Sequence, residues 1–286
     1  MKQGRTMSPF QETVYRFCRN KISLLGLMIV VGIIVVILFG EAISPYEYGV
    51  KQDIKNRLQG PSALHWFGTD GYGRDIFSRV IHGTKYTMVI AIPATLCAQI
   101  IGAILGACAA FYNRWLDDIL MRILDVFQAI PGTLLALAVV AALGTSLPNL
   151  VIAMMISRIP GATRSARAVM LSLVGQDHID AARSYGSCDL QLIFRHIIPN
   201  ALGPIIVDFT INLSAITLQV SSLSYIGLGV QPPTPEWGVL LSEAREFMQV
   251  APHTIVFPGL AILLAALAFN LVGDGLRDAL DPRLRD

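Results

Sequence analysis

The chain has 286 residues, of which 53% are hydrophobic and only 15% are charged. Soluble domains usually contain about 25% charged residues, so this composition is typical of a membrane protein rather than of a soluble domain. The net charge of +2 is too small to indicate a nucleic-acid-binding protein.

The hydropathy pattern predicts an all-α, polytopic membrane protein with about six transmembrane helices. The first is an uncharged run at residues 24–40, which follows a basic segment at 1–23. A secretory signal is the alternative, but signal cores are typically ~7–15 residues and a spanning helix needs ~20, so we interpret the run as a retained span. Residues 44–85 then form a polar, turn-rich loop, and we expect an interfacial amphipathic helix from Arg74 onward.

The second span is predicted at residues 86–113, which contain no charge. Pro93 is expected to kink this helix. Gly102 and Gly106 are four residues apart, a spacing of small residues that lets another helix approach closely. We therefore expect a tightly packed neighbour at this face.

The third and fourth spans are less regular. The third, at 119–143, is interrupted by a Pro-Gly pair and contains Arg122 and Asp125, which are expected to pair on one face. The fourth, from about residue 150 to about 161, includes Arg158 and continues into a basic helix. We expect other helices rather than lipid to cover it.

The fifth span is predicted at residues 201–225, where Asp208 is the only charge. An ionised Asp at mid-bilayer costs ~2.5–3.5 kcal/mol on insertion scales, so Asp208 is expected to face protein or water. Asn212 and Gln219 follow at helical spacing and are candidates, with Asp208, to line a translocation path. The alternative is that these residues hydrogen-bond between helices.

The remaining residues predict a loop, a last span and a tail. Residues 227–253 form a turn-rich loop in which Trp237 suits the membrane interface, and residues 239–248 are expected to form a short amphipathic helix. The sixth span is predicted at 254–273, and residues 274–286 form a polar tail.

A polar segment at residues 177–200 stands between very apolar neighbours, and its pattern predicts two short helices that meet at Gly186. Asp177 is expected to cap the first helix, Ser187 to cap the second, and Pro199 to close it. A short helix that its own membrane domain cannot bury is best explained by a soluble partner.

The distribution of Lys and Arg predicts that both termini lie in the cytoplasm. With the N-terminus inside, cytoplasmic segments carry fifteen of these residues and external segments carry seven. This agrees with the positive-inside rule. Residues 24–273 would then form the transmembrane domain, with 163–200 in the cytoplasm and 44–85 and 227–253 outside.

Four motifs resemble those of permease subunits of dipeptide and oligopeptide ABC importers, the peptide and nickel class. Asp180-Ala181-Ala182, Gly186 and Ile198-Pro199 are similar to the EAA loop of such permeases, with Asp in place of Glu. The other three motifs are Gly68-Thr69-Asp70 with Gly73-Arg74-Asp75, Gln231 to Gly238, and Phe269 to Pro282.

The resemblance implies the type I ABC importer permease fold and a place in the bacterial inner membrane. It implies partners: a homologous second permease, two cytoplasmic ATPase subunits that bind ATP and Mg²⁺, and an extracytoplasmic substrate-binding protein. The cargo is expected to be di- or oligopeptides, with nickel or another small solute as the alternative. The residues implied to couple the permease to an ATPase are Asp180, Ala181, Ala182, Gly186, Ile198 and Pro199.

Signatures of catalysis do not occur in the sequence. It contains no complete nucleotide-binding loop, His-Glu-x-x-His pair or nucleophile elbow, and its four cysteines share no metal-ligand spacing. We therefore expect a non-catalytic subunit with no cofactor or metal of its own. A gradient-driven carrier that uses Asp208 and a non-transporting scaffold remain alternatives.

Overall fold

The computed structural model describes residues 9–280, and no residue in this range belongs to a β-strand. The first eight residues of the predicted basic head and the last six of the predicted tail lie outside the described residues. One π-helical turn, Leu192–Ile197, directly precedes the tenth α-helix. The α-helices of the described range are α1 (Pro9–Arg19), α2 (Lys21–Ile43), α3 (Tyr46–Val50), α4 (Ile76–Phe111), α5 (Arg114–Gln128), α6 (Gly132–Leu143), α7 (Leu147–Val174), α8 (Asp177–Ser184), α9 (Asp189–Gln191), α10 (Ile198–Tyr225), α11 (Trp237–Ala244) and α12 (His253–Leu280).

Four helical stretches of the described chain are long and apolar enough to cross a membrane: α2, α4, the run Asp189–Tyr225 that includes α10, and α12. The pair α5 and α6, bent by 80° at the break, would make a fifth. Helix α7 occupies the predicted fourth span and has 28 residues, enough to cross a bilayer at 1.5 Å per residue. It carries three arginines, which explains why composition alone does not mark it as a span.

Helix α2 begins three residues before the uncharged run because Asn20 caps it. Its side-chain oxygen accepts hydrogen bonds from the backbone N–H groups of Ile22 and Ser23. Such a cap satisfies amides that a helix start leaves without partners. The first predicted span is therefore helical along its whole length.

Close packing of α4 against α7 confirms the expectation drawn from the glycine pair. A Cβ placed on Gly102 would lie 2.7 Å from the Cβ of Ala162, and one on Gly106 would lie 2.9 Å from the Cβ of Ala166. Real Cβ atoms do not approach so closely, so only glycine permits this helix separation. The covered face of α7 includes Ala162, Thr163 and Ala166, all buried.

The predicted interfacial helix from Arg74 is wrong. Helix α4 begins at Ile76 and continues without a break for 36 residues. Asp75 caps it, because its Oδ2 accepts a hydrogen bond of 2.7 Å from the amide of Ser78. The polar residues at 77–85 are the first turns of the spanning helix, and the contacts of Ser78 and Arg79 with the preceding loop make them tolerable there.

The ion pair predicted between Arg122 and Asp125 is also wrong. Asp125 pairs with Arg164 of α7 instead, and Asp117 pairs with Arg167 one turn further along α7. Both acids lie on α5, so these pairs join the end of α7 to the helix after the α4–α5 turn. The acids of α5 pair with arginines of α7 rather than with a residue of their own helix, because folding brings α5 and α7 side by side.

The main hydrophobic core lies between α4, α6, α7, α10, α11 and α12. Trp237 belongs to this core rather than to the membrane interface, and only 2% of it is exposed. Its indole Nε1 donates a hydrogen bond of 3.0 Å to the carbonyl of Val80 in α4. A buried Trp needs such a partner for its N–H, and the backbone of α4 supplies it.

Candidate coupling segment and polar cluster in the membrane

Helix α8 is a short, exposed helix held by one buried side chain. It covers Asp177–Ser184, and Ile179 alone among its eight residues is buried. Asp177 is the first residue of the helix and Gln176 occupies the cap position, so the predicted cap by Asp177 is wrong by one position. The surface of α8 away from Ile179 is open on this chain.

The buried anchor of α8 sits in a second hydrophobic cluster, separate from the main core. This cluster joins α8 to α4, to the end of α7, to the π-helical turn and to the start of α10. Its fully buried larger members are Met170, Ile179, Leu192, Ile193 and Ile197. The coupling segment is thereby packed against three of the long helices at once.

The predicted coupling residues occupy different environments. Asp180 and Ala181 are exposed, whereas Ala182 is half-buried and packs against the second cluster. Ser184 donates a hydrogen bond of 2.9 Å to the carbonyl of Asp180 within the helix. Tyr185, which sequence reasoning did not select, is 93% exposed next to the turn. An aromatic beside the glycine of a polar loop was the available signal.

Gly186 ends the first helix as predicted, by adopting a backbone conformation that favours glycine. Its φ is +86°, in the left-handed region, and no described atom lies within 4 Å of a Cβ placed on it. The amide of Gly186 donates to the carbonyl of Arg183 and that of Ser187 to Ala182. The glycine is required by the turn and not by lack of space.

The second predicted helix does not close at Pro199. Cys188, rather than Ser187, caps a one-turn helix at 189–191, which continues through the π-helical turn directly into α10. Pro199 lies in the first turn of α10. The helix does not stop at Pro199, so the proline belongs to the start of the spanning helix and does not end the loop helix. Ile198 and Pro199 therefore belong to the junction between the coupling segment and the membrane.

Asp208 lies on α10 in a polar cluster inside the membrane domain. The side chains of Gln99, Ser165 and Asn212 surround its carboxyl group, and the positive charge of Arg158 on α7 attracts it. Asn212 donates a hydrogen bond of 2.9 Å to the backbone carbonyl of Asp208, one turn back in the same helix. In the sequence, Arg158 only interrupts the apolar run of the fourth span, and nothing there indicates its proximity to Asp208.

Gln219 lies apart from that cluster. Its Nε2 donates to the carbonyl of Gly132, at the break between α5 and α6, over 3.2 Å, and to the hydroxyl of Ser157 on α7 over 3.5 Å. The side chain is 8% exposed. It joins α10, α6 and α7 by hydrogen bonds. This is the alternative to lining a translocation path that the sequence left open for Gln219.

The glycine and aspartate motif before α4 folds the loop and ties it to α11. The Oδ1 atom of Asp70 accepts from the amides of Tyr72 and Arg74, over 2.8 and 3.0 Å. Arg74 and Arg79 each bridge Asp70 to Glu243 of α11 at N–O distances of 2.6–2.7 Å. Both arginines are almost fully buried. The motif thus has a structural role that its sequence did not reveal.

Glu236 starts α11 from a fully buried position. Its Oε2 accepts from the amides of Gly238 and Val239, and its Oε1 accepts a 2.8 Å hydrogen bond from the hydroxyl of Thr87 in α4. Burial raises the pKa of this carboxyl, and the hydrogen bonds, first those of Ser224 and Thr87, oppose the shift. The residue lies between α10 and α11, outside the spanning helices.

Within residues 9–280, no group of three or more His, Cys, Asp or Glu side chains is placed to hold a metal ion. The four cysteines lie apart and are all free.

Comparison with known proteins gives two family matches that together cover most of the chain. Residues 100–286 match the family described as the binding-protein-dependent transport system inner membrane component. Residues 8–61 match the N-terminal transmembrane domain of oligopeptide transport permease C.

Two relatives are similar to this chain over nearly its full length. The dipeptide transport system permease protein DppC of Alkalihalophilus pseudofirmus is 43% identical over 283 residues, which is 99% of this chain and 93% of the relative. The glutathione transport system permease protein GsiD of Escherichia coli is 45% identical over 285 residues, or 100% of this chain and 94% of the relative.

A solved structure shares the fold. The MetNI methionine ABC transporter, in inward-facing conformations, superposes with a TM-score of 0.58 and 15% identity. The match covers 70% of this chain and 96% of that chain.

Proposed function

Because the chain belongs to the family of inner-membrane components of binding-protein-dependent transport systems, we propose that it forms half of the translocation pathway of an ATP-driven importer of di- or oligopeptides. It has the type I ABC importer permease fold. The single observation that carries the cargo class is the full-length similarity to dipeptide and glutathione permeases.

The proposed complex has two permeases, two ATPase subunits and one extracytoplasmic binding protein. This chain contributes one permease, and a homologous chain the other. ATP and Mg²⁺ are held and hydrolysed by the ATPase subunits, and this chain is non-catalytic. Both termini and α8 face the cytoplasm, as the distribution of Lys and Arg indicates.

Helix α8 is proposed as the element that an ATPase subunit moves. The exposed side of α8, with Asp180 and Ala181, would lie in a groove of the ATPase, and exposed Tyr185 would extend the contact. Gly186 sets the turn that follows. Since Ile179 is buried among residues of α4, α7 and α10, displacement of α8 is passed to those helices. This is a two-state mechanism in which ATP-driven closure selects one arrangement of the membrane domain.

The junction residues Ile198 and Pro199 carry that displacement into α10, because the helix is continuous from Asp189. Asp208 and Asn212 then lie further along the same helix and are proposed to face the translocation pathway. Gln219, also a candidate from the sequence, would contribute to the pathway by holding α10 to α6 and α7 through its hydrogen bonds.

The test is uptake by the complete complex in proteoliposomes, with a labelled dipeptide and saturating binding protein. The wild type should take up peptide only with ATP, and dissipation of ion gradients should not abolish uptake. The variant Ala181→Arg should lower uptake at least about tenfold by blocking a closely packed contact, while ATP hydrolysis by the complex continues. Ala181 suits this test better than Ala182, because Ala182 also packs against the chain's own core.

Asn113→Arg is the matched control. Asn113 is exposed in the α4–α5 turn, on the proposed cytoplasmic side, and its side chain makes no capping bond to α5. This variant should retain uptake. Wild-type uptake by Ala181→Arg would remove the coupling role of α8, and uptake driven by an ion gradient without ATP would overturn the importer assignment.

A further inference from the structure

Three polar side chains from three helices meet inside the membrane domain: Gln99 of α4, Arg158 of α7 and Asp208 of α10. Within the part of the chain that the structure describes, each has a buried atom without a hydrogen-bond partner. These atoms are Nε2 of Gln99, Nε of Arg158 and Oδ2 of Asp208. Gln99 is only 4% exposed. Buried polar atoms are nearly always hydrogen-bonded, so three unpartnered ones together call for a physical reason.

The two charged members attract each other without touching. Each of Arg158 and Asp208 feels the opposite charge of the other. Even so, their charged atoms form no ion pair within 4.0 Å in the described structure. Opposite charges in a low-dielectric interior gain most from direct contact with well-aligned hydrogen bonds. The ion pair between Arg158 and Asp208 is therefore not formed in this conformation, and a movement of α7 relative to α10 would allow it to form.

The other two arginines of α7 show that direct pairing is available on this helix. Arg164 and Arg167 are in contact with Asp125 and Asp117 of α5. Arg158 lies six residues before Arg164 on α7. The opposite charge that acts on it is that of Asp208 on α10. Its separation from Asp208 depends on how α7 and α10 sit relative to each other.

Those two helices are the ones that the coupling segment connects. Helix α7 ends at Val174, α8 follows, and the π-helical turn leads into α10 at Ile198. The second hydrophobic cluster packs Ile179 of α8 against both helices and against α4. The cluster reaches Ile205 on α10, one turn before Asp208, and Ala103 on α4, one turn after Gln99. A displacement of α8 would therefore reach the helices that carry the polar cluster through this hydrophobic cluster and the π-helical turn against which α8 packs.

We propose that Arg158 and Asp208 form a gate in the membrane domain, closing to a direct ion pair in one conformation of the importer and standing apart in the other. The proposal rests on the proposed function, because α8 must be moved by the ATPase for the gap to change. In the conformation described here the pair is open. Gln99 is a positioning residue, because its side chain lies against the Asp208 carboxyl group. The gate makes the pathway accessible from one side at a time.

Charge reversal in the complete, reconstituted complex tests the pair. Arg158→Asp and Asp208→Arg alone should each lower ATP-driven uptake of a labelled dipeptide by about tenfold or more, because each places like charges together in a buried site. The double variant should restore uptake to within about threefold of wild type, since exchanging the two charges restores their attraction, whereas the effects of independent sites would add. Arg164→Gln is the control: it removes a more exposed charge from the same helix and should retain uptake.

Disulfide cross-linking measures the separation of residues 158 and 208 independently of uptake. It therefore tests the gate even if the charge-reversal variants fail to assemble. In a background without Cys18, Cys97, Cys108 and Cys188, the pair Arg158→Cys and Asp208→Cys is oxidised in nucleotide-free and in vanadate-trapped complexes. The disulfide yield should differ severalfold between the two states, because the bond needs Cα atoms within about 7 Å. Equal yields in both states, or a double reversal that assembles but transports no better than the single variants, would overturn the gate. Absence of ATP-driven uptake in the wild type would instead contradict the proposed function.

Discussion

Arg79 of α4 and Glu243 of α11 are 164 residues apart in sequence, yet Nη1 of the arginine lies 2.6 Å from Oε2 of the glutamate. Arg74 reaches the same carboxylate oxygen, and Asp70 completes a group of two positive and two negative charges. The contact fixes the loop before α4 to the short helix before α12. Asp70 and Arg74 belong to the motif Gly68-Thr69-Asp70 with Gly73-Arg74-Asp75, so this charge group gives the motif a structural role.

Glu243→Gln should therefore destabilise the protein. Removing one charge leaves Arg74 and Arg79, both almost fully buried, with Asp70 as their one remaining acid. Loss of one partner from a buried charge group typically costs about 3–5 kcal/mol. The free energy of unfolding of the purified subunit in detergent measures the effect.

The control for that variant is Glu246→Gln, three residues further along. Glu246 is exposed, so its replacement should change stability by less than about 0.5 kcal/mol. Equal, small effects of the two variants would show that the charge group contributes nothing to stability.

Gly102→Ala and Gly161→Ala should change stability in opposite directions. A Cβ at Gly102 meets Ala162 at 2.7 Å, so the substitution forces α4 and α7 apart and should cost about 1–3 kcal/mol. Gly161 lies in α7 with no described atom within 4 Å of its Cβ position. Alanine there should stabilise by about 0.5–1 kcal/mol, because it restricts the unfolded chain and favours the helix. Thermal unfolding of both variants in the same detergent measures these changes. A Gly102→Ala variant more stable than the wild type would contradict the close contact between α4 and α7.

Substitutions at Gly186 should follow backbone strain rather than side-chain size. With φ at +86° and open space around it, the position penalises Ala by about 1 kcal/mol, Asn by less and Val by more. Uptake by the complex should therefore fall in the order wild type, Asn, Ala, Val. Gly175→Ala is the control, since Gly175 precedes α8 with φ of −90° and should tolerate alanine. Full uptake by Gly186→Val would mean that the turn does not matter for coupling.

The stability of Glu236→Gln relative to the wild type should increase as the pH rises. Because burial raises the pKa of Glu236 in the folded protein, the folded state holds its proton more tightly than the unfolded state does. The stability from this group is fully present below the pKa of the unfolded state and is lost as the pH rises through the higher pKa of the folded state. Glutamine loses nothing over this window, since its carbonyl can still accept from Gly238 and Val239.

Melting temperatures of both proteins from pH 5 to pH 8 measure that difference. The advantage of Glu236→Gln over the wild type should grow with pH, whereas Glu236→Ala should lose the cap at every pH, by about 1 kcal/mol. Parallel melting profiles for Gln and the wild type would show that the buried carboxyl does not titrate in this range.

Most of the spans were predictable because lipid imposes long apolar helices. The six predicted positions are helical except at residues 112–113 and 129–131, and four stretches, or five with the bent pair of α5 and α6, are long and apolar enough to cross a membrane. The turn at Gly186 was predictable for a similar local reason, since only glycine adopts that backbone conformation readily. The second half of the coupling segment was not. Pro199 has the same sequence signature whether it ends one helix or begins the next, and the choice depended on the packing of the π-helical turn against α4 and α7.

Local sequence thus determined where the membrane helices lie, how closely α4 and α7 can approach, and which loop is left exposed, because these follow from hydropathy, residue size and backbone freedom. Tertiary structure alone decided the pairing of charges. Asp125 pairs with Arg164 and not with Arg122. Trp237 is buried against α4, and Arg158 lies near Asp208. Charged and hydrogen-bonding groups find partners by distance in space, and only folding sets the distances between helices that are far apart in the chain.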